Sequence, residues 1–194
     1  MPLRIHSYIL RSSAISAAVI GSRQEMASAL VLPISEEEYL HTSYSPDCDF
    51  VDGLVLERTL GQFDHSNLQR LLVGLFFLNE KKWAVLGLPE QRLRIRTGKY
   101  RVPDLLVVPL DYDRSPIVVV APLLCIEILS PDDRMPRILE RCWEYNEIGV
   151  PESWIFDPET KKAFIAKDHA VTVAPDLLRC RQIEISCADL FARI

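Results

Sequence analysis

The sequence predicts a mixed α/β (α+β) fold, a mixed β-sheet flanked by helices. Three observations point to it. Leu123–Leu129 (LLCIEIL) is a near-continuous apolar run, the mark of a central strand covered on both faces. Leu68, Leu71, Leu72, Leu75 and Phe76 recur at helical spacing and form one buried stripe. Short alternating runs separated by Gly, Pro and Asp turns give the order β, α, β, β, β, α, β, β.

The elements follow in chain order. Ser35 precedes Glu36, Glu37 and Glu38, an N-cap with acids that suit a helix dipole, so a short helix runs to about Thr42. Phe50–Leu60 alternates around Asp52-Gly53, a tight-turn dipeptide that predicts a hairpin or a bent strand. Asp64 is placed to cap the long helix that carries the leucine stripe. Trp83–Arg96 holds two strand-like runs. Gly98-Lys99 turns the chain into Arg101–Leu110 (RVPDLLVVPL), read as the second strand of a hairpin. Beyond the central strand, Asp132 or Asp133 caps a helix with Met135, Ile138, Cys142 and Tyr145 on its inner face, and Gly149 ends it. Ser153–Phe156, the turn Asp157–Lys161 and Lys162–Lys167 read as a hairpin, and Cys187–Ala192 as a short closing helix.

Composition narrows the function classes. The chain has 194 residues, 48 % of them hydrophobic and 25 % charged, which excludes disorder of the whole chain. A net charge of -5 excludes a protein that coats nucleic acid nonspecifically, so any such contact must come through a local patch. The 5 cysteines show no CxxC spacing, against a zinc or thiol-redox centre and in favour of a reducing, cytoplasmic setting. No GxSxG run is present. The longest uncharged runs, Ser12–Ser22 and Ser115–Ile126, fall short of the ~18 residues needed to cross a bilayer. Residues 1–30 read as an extension, whose first 25 residues resemble a poor signal or transit segment but are better read as a disordered tail or a stretch upstream of a start at Met26; residues 31–194 read as a single domain.

One feature breaks the pattern of a well-packed sheet. Asp104 interrupts RVPDLLVV and Glu127 interrupts LLCIEIL. A buried carboxylate is costly unless paired, protonated or bound to a metal. Neighbouring strands lie ~4.8 Å apart, so two facing carboxylates suit one divalent cation, and hard oxygen ligands select Mg2+ or Mn2+ over zinc. A salt bridge from each acid to an arginine, with Arg94, Arg101 and Arg141 as candidates, is the equal alternative.

The run Pro103-Asp104, then CIEILSPDDR (Cys125–Arg134), then Tyr145 to Pro158 with its YxxxGVPxxWxxDP pattern resembles the Uma2 family, predicted endonucleases of the PD-(D/E)xK nuclease fold. PDCDFVDGLVLER (Pro46–Arg58), DHSNLQ (Asp64–Gln69) and PEQRLRI (Pro89–Ile95) match its N-terminal half, so the resemblance spans roughly residues 33 to 165. It implies a restriction endonuclease-like sheet and metal-assisted hydrolysis of DNA phosphodiesters. Asp104 and Glu127 would hold the metal. The lysine expected two positions after the acid is Leu129, and the family's alternative lysine position is Arg141. Arginine keeps the charge but cannot act as a base, so Arg141 would stabilise developing charge. His65 stands at the family's histidine position. Glu57 is a candidate further acid, with a solvated strand residue as the equal alternative, and Gln91 a weak candidate beside the site.

Arg92, Arg94 and Arg96 alternate on one face, and with Lys99 and Arg101 they form a basic hairpin; Arg134, Arg137 and Arg141 follow helical spacing. These are the candidate DNA contacts, although Glu140 and Glu144 are placed to neutralise some of them. The competing expectation is a nuclease-fold protein that binds nucleic acid or a protein without cutting. Members of this fold that cut both strands often work as dimers, which leaves a homodimer open.

Overall fold

The computed structural model describes residues 33–59 and 61–194, all within the unit Val31–Ile194. The extension expected over residues 1–30 lies outside the described residues, as does Leu60.

The chain opens with helix α1 (Glu36–His41), where Ser35 Oγ accepts the Glu38 N–H at 3.0 Å. Strands β1 (Asp49–Val51) and β2 (Leu54–Leu56) form the expected hairpin. Asp52 and Gly53 both take positive φ, 48° and 92°, the backbone of the two-residue turn that matches strand twist. Tyr39 of α1 stacks on Phe50 of β1, with ring centroids 4.8 Å apart, and fixes the helix on the hairpin.

Helix α2 (Phe63–Trp83) buries Leu68, Leu72 and Phe76, with Leu71 and Leu75 partly covered. Strand β3 (Val85–Pro89) follows, then β4 (Leu93–Arg96) and β5 (Lys99–Arg101), which join the first hairpin in a four-stranded sheet ordered β2-β1-β5-β4. The predicted strand Arg101–Leu110 is two strands in two sheets. β5 ends at Arg101, and β6 (Leu105–Pro109) begins after Val102–Asp104. Pro103 cannot donate to a ladder, so the chain leaves one sheet and enters the other there.

Strand β7 (Leu124–Ile128) is buried along its whole length, as its apolar run demands. Helix α3 (Met135–Glu147) then crosses over to β8 (Ser153–Asp157), which pairs parallel to β7. A parallel pair needs such a crossover. β9 (Lys162–Lys167) and β10 (Ala170–Val173) complete a six-stranded sheet ordered β10-β9-β8-β7-β6-β3. The hairpin β11 (Leu177–Cys180) and β12 (Ile183–Ser186) and helix α4 (Cys187–Phe191) close the chain.

The large sheet carries a core on each face. Leu105, Val107, Leu124, Ile126 and Trp154 meet α2, the last hairpin and α4. Leu106, Val108 and Cys125 meet Tyr145, and Ile155 meets Ile138 and Cys142, so α3 covers the other face. Two helix starts differ from expectation. α2 is capped by Gln62 without a side-chain bond, not by Asp64. α3 is preceded by Arg134, because Asp133 holds Thr59 Oγ1 at 2.6 Å and the Ser130 N–H at 2.8 Å. None of the described helices is long and apolar enough to cross a membrane.

Candidate active site

Leu105 stands opposite Ile126 in the antiparallel pairing of β6 and β7. One step further along that register, Asp104 stands opposite Glu127. Opposed residues of an antiparallel pair project to the same face. Here it is the face of α3, shared with Leu106 and Cys125. Both acids are buried, Asp104 to 3 % and Glu127 to 2 % exposure.

Their surroundings differ. Asp104 Oδ2 accepts the Ile128 N–H at 2.7 Å and lies 3.3 Å from His65 Nε2, while Oδ1 takes the Arg58 guanidinium. Gln69 Nε2 donates to the Asp104 carbonyl at 3.0 Å, which fixes the main chain beneath the carboxylate. Burial raises the Asp104 pKa, but His65, Arg58 and the Ile128 N–H outweigh it and the net direction is down. Glu127 Oε1 accepts the Tyr145 hydroxyl at 2.6 Å and lies 3.2 Å from Arg141 Nε. There burial, aided by the nearby Asp104 charge, prevails over Arg141, and the Glu127 pKa is pushed up to about 7. Two carboxyl groups on one face are thus driven apart in acidity by their surroundings. For His65, burial opposes the charged form, but the Asp104 carboxylate wins and raises its pKa.

Arg141 joins Glu127 to a second layer of charge. Its Nη2 donates to the Val102 carbonyl at 2.8 Å, and its Nη1 lies 3.5 Å from Asp49 Oδ2. Asp49 also accepts Arg101 Nη1 at 2.9 Å and the Val102 N–H at 2.9 Å. Arg101 Nε and Lys99 Nζ in turn meet Glu144 at 2.7 and 2.6 Å. Arg141 is 6 % exposed and its guanidinium is already shared among these acceptors. That geometry makes it a positioning residue for Glu127 at the wall of the cavity that both acids line.

The two acids line a cavity of about 20 Å³, close to the room of one water or ion, together with Arg58, His65, Asp133 and Arg137. Glu57 is not brought to it. Its side chain is exposed, and only its carbonyl takes part, accepting Arg137 Nη2 at 3.5 Å. The next residue, Arg58, turns inward instead, because successive side chains of an extended chain alternate. Gln91 donates to the Pro116 carbonyl at 2.7 Å and does not line the cavity. Sequence reasoning missed Arg58 and the Tyr145 hydroxyl. No local pattern marks Arg58, and Tyr145 has the spacing of an ordinary member of the α3 stripe.

The basic hairpin is largely neutralised. Arg92 pairs with Asp47 through two bonds of 2.7 Å and lies over the Tyr39 ring, Arg96 pairs with Asp52, and Lys99 and Arg101 with Glu144. A register shift between Arg94 and Arg96 also breaks the single face expected for the three arginines. Arg94, Arg134 and Arg137 remain exposed, and only Arg137 of these borders the cavity.

Whether a metal fits is decided by the donors. Among the described residues no cluster of three or more His, Cys, Asp or Glu side chains is placed to enclose one. Of the three carboxylates at the cavity, Asp133 is held by Thr59 and Ser130, and no donor among the described residues reaches Glu127 Oε2. Mg2+ keeps several waters and is commonly held by one or two carboxylates plus substrate phosphate, so this donor set fits it. Arg58 neutralises Asp104.

Residues 36–176 match the profile of the Uma2 family, described as "Putative restriction endonuclease". Among solved structures, a crystal structure described as "a putative nuclease belonging to DUF820 from Anabaena variabilis ATCC 29413" aligns with a TM-score of 0.71 at 22 % identity, covering 82 % of this chain and 98 % of that one. At that identity the likeness shows the fold. No curated protein matches the chain.

Proposed function

The chain belongs to the Uma2 family, and from that premise we propose that it is a metal-dependent endonuclease that hydrolyses DNA phosphodiester bonds. The observation that carries the reading is the pair Asp104 and Glu127, opposed in register, buried, and driven apart in acidity beside a cluster of cations. Residues 31–194 form the nuclease domain in this reading.

Asp104 and Glu127 would hold Mg2+ or Mn2+, which would supply a polarised phosphate and a more acidic water. Tyr145 and Arg141 grip one oxygen of Glu127 and leave the other without a donor among the described residues. Arg58 exchanges Asp104 for a phosphate oxygen, and His65 and Arg137 neutralise the remaining charge of the backbone. Water adds to phosphorus, one P–O ester bond breaks, and the leaving oxygen takes a proton. Leu129 offers no base, so the chain's own part is to bind, orient and neutralise.

A second reading, a fold member that holds DNA without cutting it, is favoured by one observation: each acid already faces an arginine, Arg58 or Arg141. Nicking of supercoiled plasmid with Mg2+, Mn2+ or EDTA separates the two. The wild type is expected to nick only with metal, and Glu127→Gln and Asp104→Asn to lose at least about a hundredfold, as for a group that stabilises transition-state charge. Wild-type rates in both variants overturn the assigned site. Metal-independent DNA binding by folded protein that never nicks favours the second reading.

A further inference from the structure

Beside the small cavity lies a larger one of about 480 Å³, within the range of small-molecule sites. The two share His65, Ser130 and Asp133. Their charge balance differs, because only the small cavity sets arginines beside its carboxylates among the described residues. The small cavity is bordered by Arg58, Arg137 and Arg141. Among the described residues the large one has no lysine or arginine in its lining and four carboxylates, Asp64, Asp133, Asp157 and Glu159. Asp133 and Asp157 are already committed, Asp133 to Thr59 Oγ1 and the Ser130 N–H, and Asp157 to the Glu159 and Thr160 N–H groups and the Thr160 hydroxyl. Asp64 and Glu159 are exposed at its rim. A phosphate is repelled from such a place.

Two further observations point to an occupant. Phe63, the first residue of α2, stands at this cavity with 80 % of its surface exposed, so its ring is open to a stacking partner. Ser130, on the wall common to both cavities, is 5 % exposed, and its hydroxyl has no hydrogen-bond partner among the described residues. A buried polar group left unpaired in this way asks for a ligand or a water.

We infer that this cavity takes an unpaired nucleobase of the DNA strand whose phosphate lies at Asp104 and Glu127. The base stacks on Phe63, its amino and imino N–H groups face the carboxylates of the rim, and its phosphate stays in the cation-lined cleft next door. Stacking on an aromatic ring tolerates any base, and carboxylates accept from exocyclic amines. The consequence is a preference for single-stranded or unpaired DNA over an intact duplex. This inference rests on the nuclease reading and extends it to substrate class.

The test is binding of short single-stranded DNA in EDTA, which keeps cleavage out of the measurement. A strand with all its bases is compared with one carrying abasic sites. The wild type is expected to hold the complete strand about tenfold more tightly, Phe63→Trp to keep that ratio, and Phe63→Leu to lose it. Phe63 is exposed, so neither variant disturbs the core. Equal binding of the two strands by the wild type, no binding to either, or an unchanged ratio in Phe63→Leu overturns the inference. Plasmid nicking on the same preparations reports separately: nicking without base discrimination leaves the nuclease reading and removes the base pocket. Base discrimination without nicking keeps the pocket and removes the nuclease.

Discussion

Arg141→Met removes the charge facing Glu127 and retains most of the side-chain volume. The wild-type guanidinium lies 3.2 Å from Glu127 Oε1 and 3.5 Å from Asp49 Oδ2 and donates to Val102 O at 2.8 Å. Asp49 keeps Arg101 and the Val102 N–H, both at 2.9 Å, so Glu127 is the group left short of charge. Breaking a buried ion pair by removing one partner costs about 3–5 kcal/mol when the other stays ionised. Glu127 limits that cost by taking a proton. Its folded pKa is already about 7, above the ordinary carboxylate value, and losing Arg141 raises it further. A raised carboxyl pKa favours the folded state at low pH, and that advantage is lost as pH rises through the folded value. Below pH 7 Glu127 is protonated in both folded proteins, and the deficit is the lost hydrogen bonding, about 2 kcal/mol. Above it the deficit grows by about 1.4 kcal/mol per unit of added pKa, to about 4 kcal/mol at pH 9. For a domain of this size that is a Tm loss of about 6 °C at pH 6 and about 12 °C at pH 9. Arg141→Lys, which restores charge but not the planar fork, flattens the pH dependence and keeps part of the constant loss. Urea unfolding followed by tryptophan fluorescence at pH 6, 7.5 and 9 measures both parts. A deficit equal at all three values, or smaller at pH 9, refutes the reasoning.

Glu144→Gln removes the carboxylate shared by Arg101 and Lys99. Burial opposes the charge of Glu144 but these cations prevail, so its folded pKa is lowered. Its contribution is therefore present above the unfolded carboxyl value and disappears as pH falls through the folded one. The variant is expected to lose about 2–3 kcal/mol at pH 7 and nothing relative to wild type in strong acid; chemical denaturation at the two pH values checks it. A Cβ on Gly87 of β3 would lie 2.8 Å from Phe76 Cβ, where α2 packs against the sheet. Gly87→Ala is expected to cost about 1–3 kcal/mol, read as a lowered Tm with the secondary-structure signal intact below it.

Some of the site was legible in one dimension. Asp104 and Glu127 stand out because a charge inside an apolar run is visible without knowing what it packs against, and the pairing of Glu127 with Arg141 was among the alternatives the spacing allowed. Arg58 was not legible. It lies 46 residues from Asp104, in a segment whose alternation favours either Glu57 or its neighbour, and only the packed chain shows which one turns inward. The basic hairpin misled for the same reason. Arg92, Arg96, Lys99 and Arg101 read as a phosphate surface until Asp47, Asp52, Asp49 and Glu144 arrive from other elements to neutralise them.

By itself the sequence determined the local elements: the Ser35 cap, the Asp52-Gly53 turn, the leucine stripe of α2, the central strand and the crossover helix. These follow from backbone preference and from hydrophobic period, which act over a few residues. The tertiary structure alone decided that Arg101 and Leu105 belong to different sheets, that Arg141 packs against both Glu127 and Asp49, and that a cation-poor cavity opens beside the cation-lined one. Those outcomes depend on which charges meet across long separations once water is excluded, and burial sets how strongly each pair is felt.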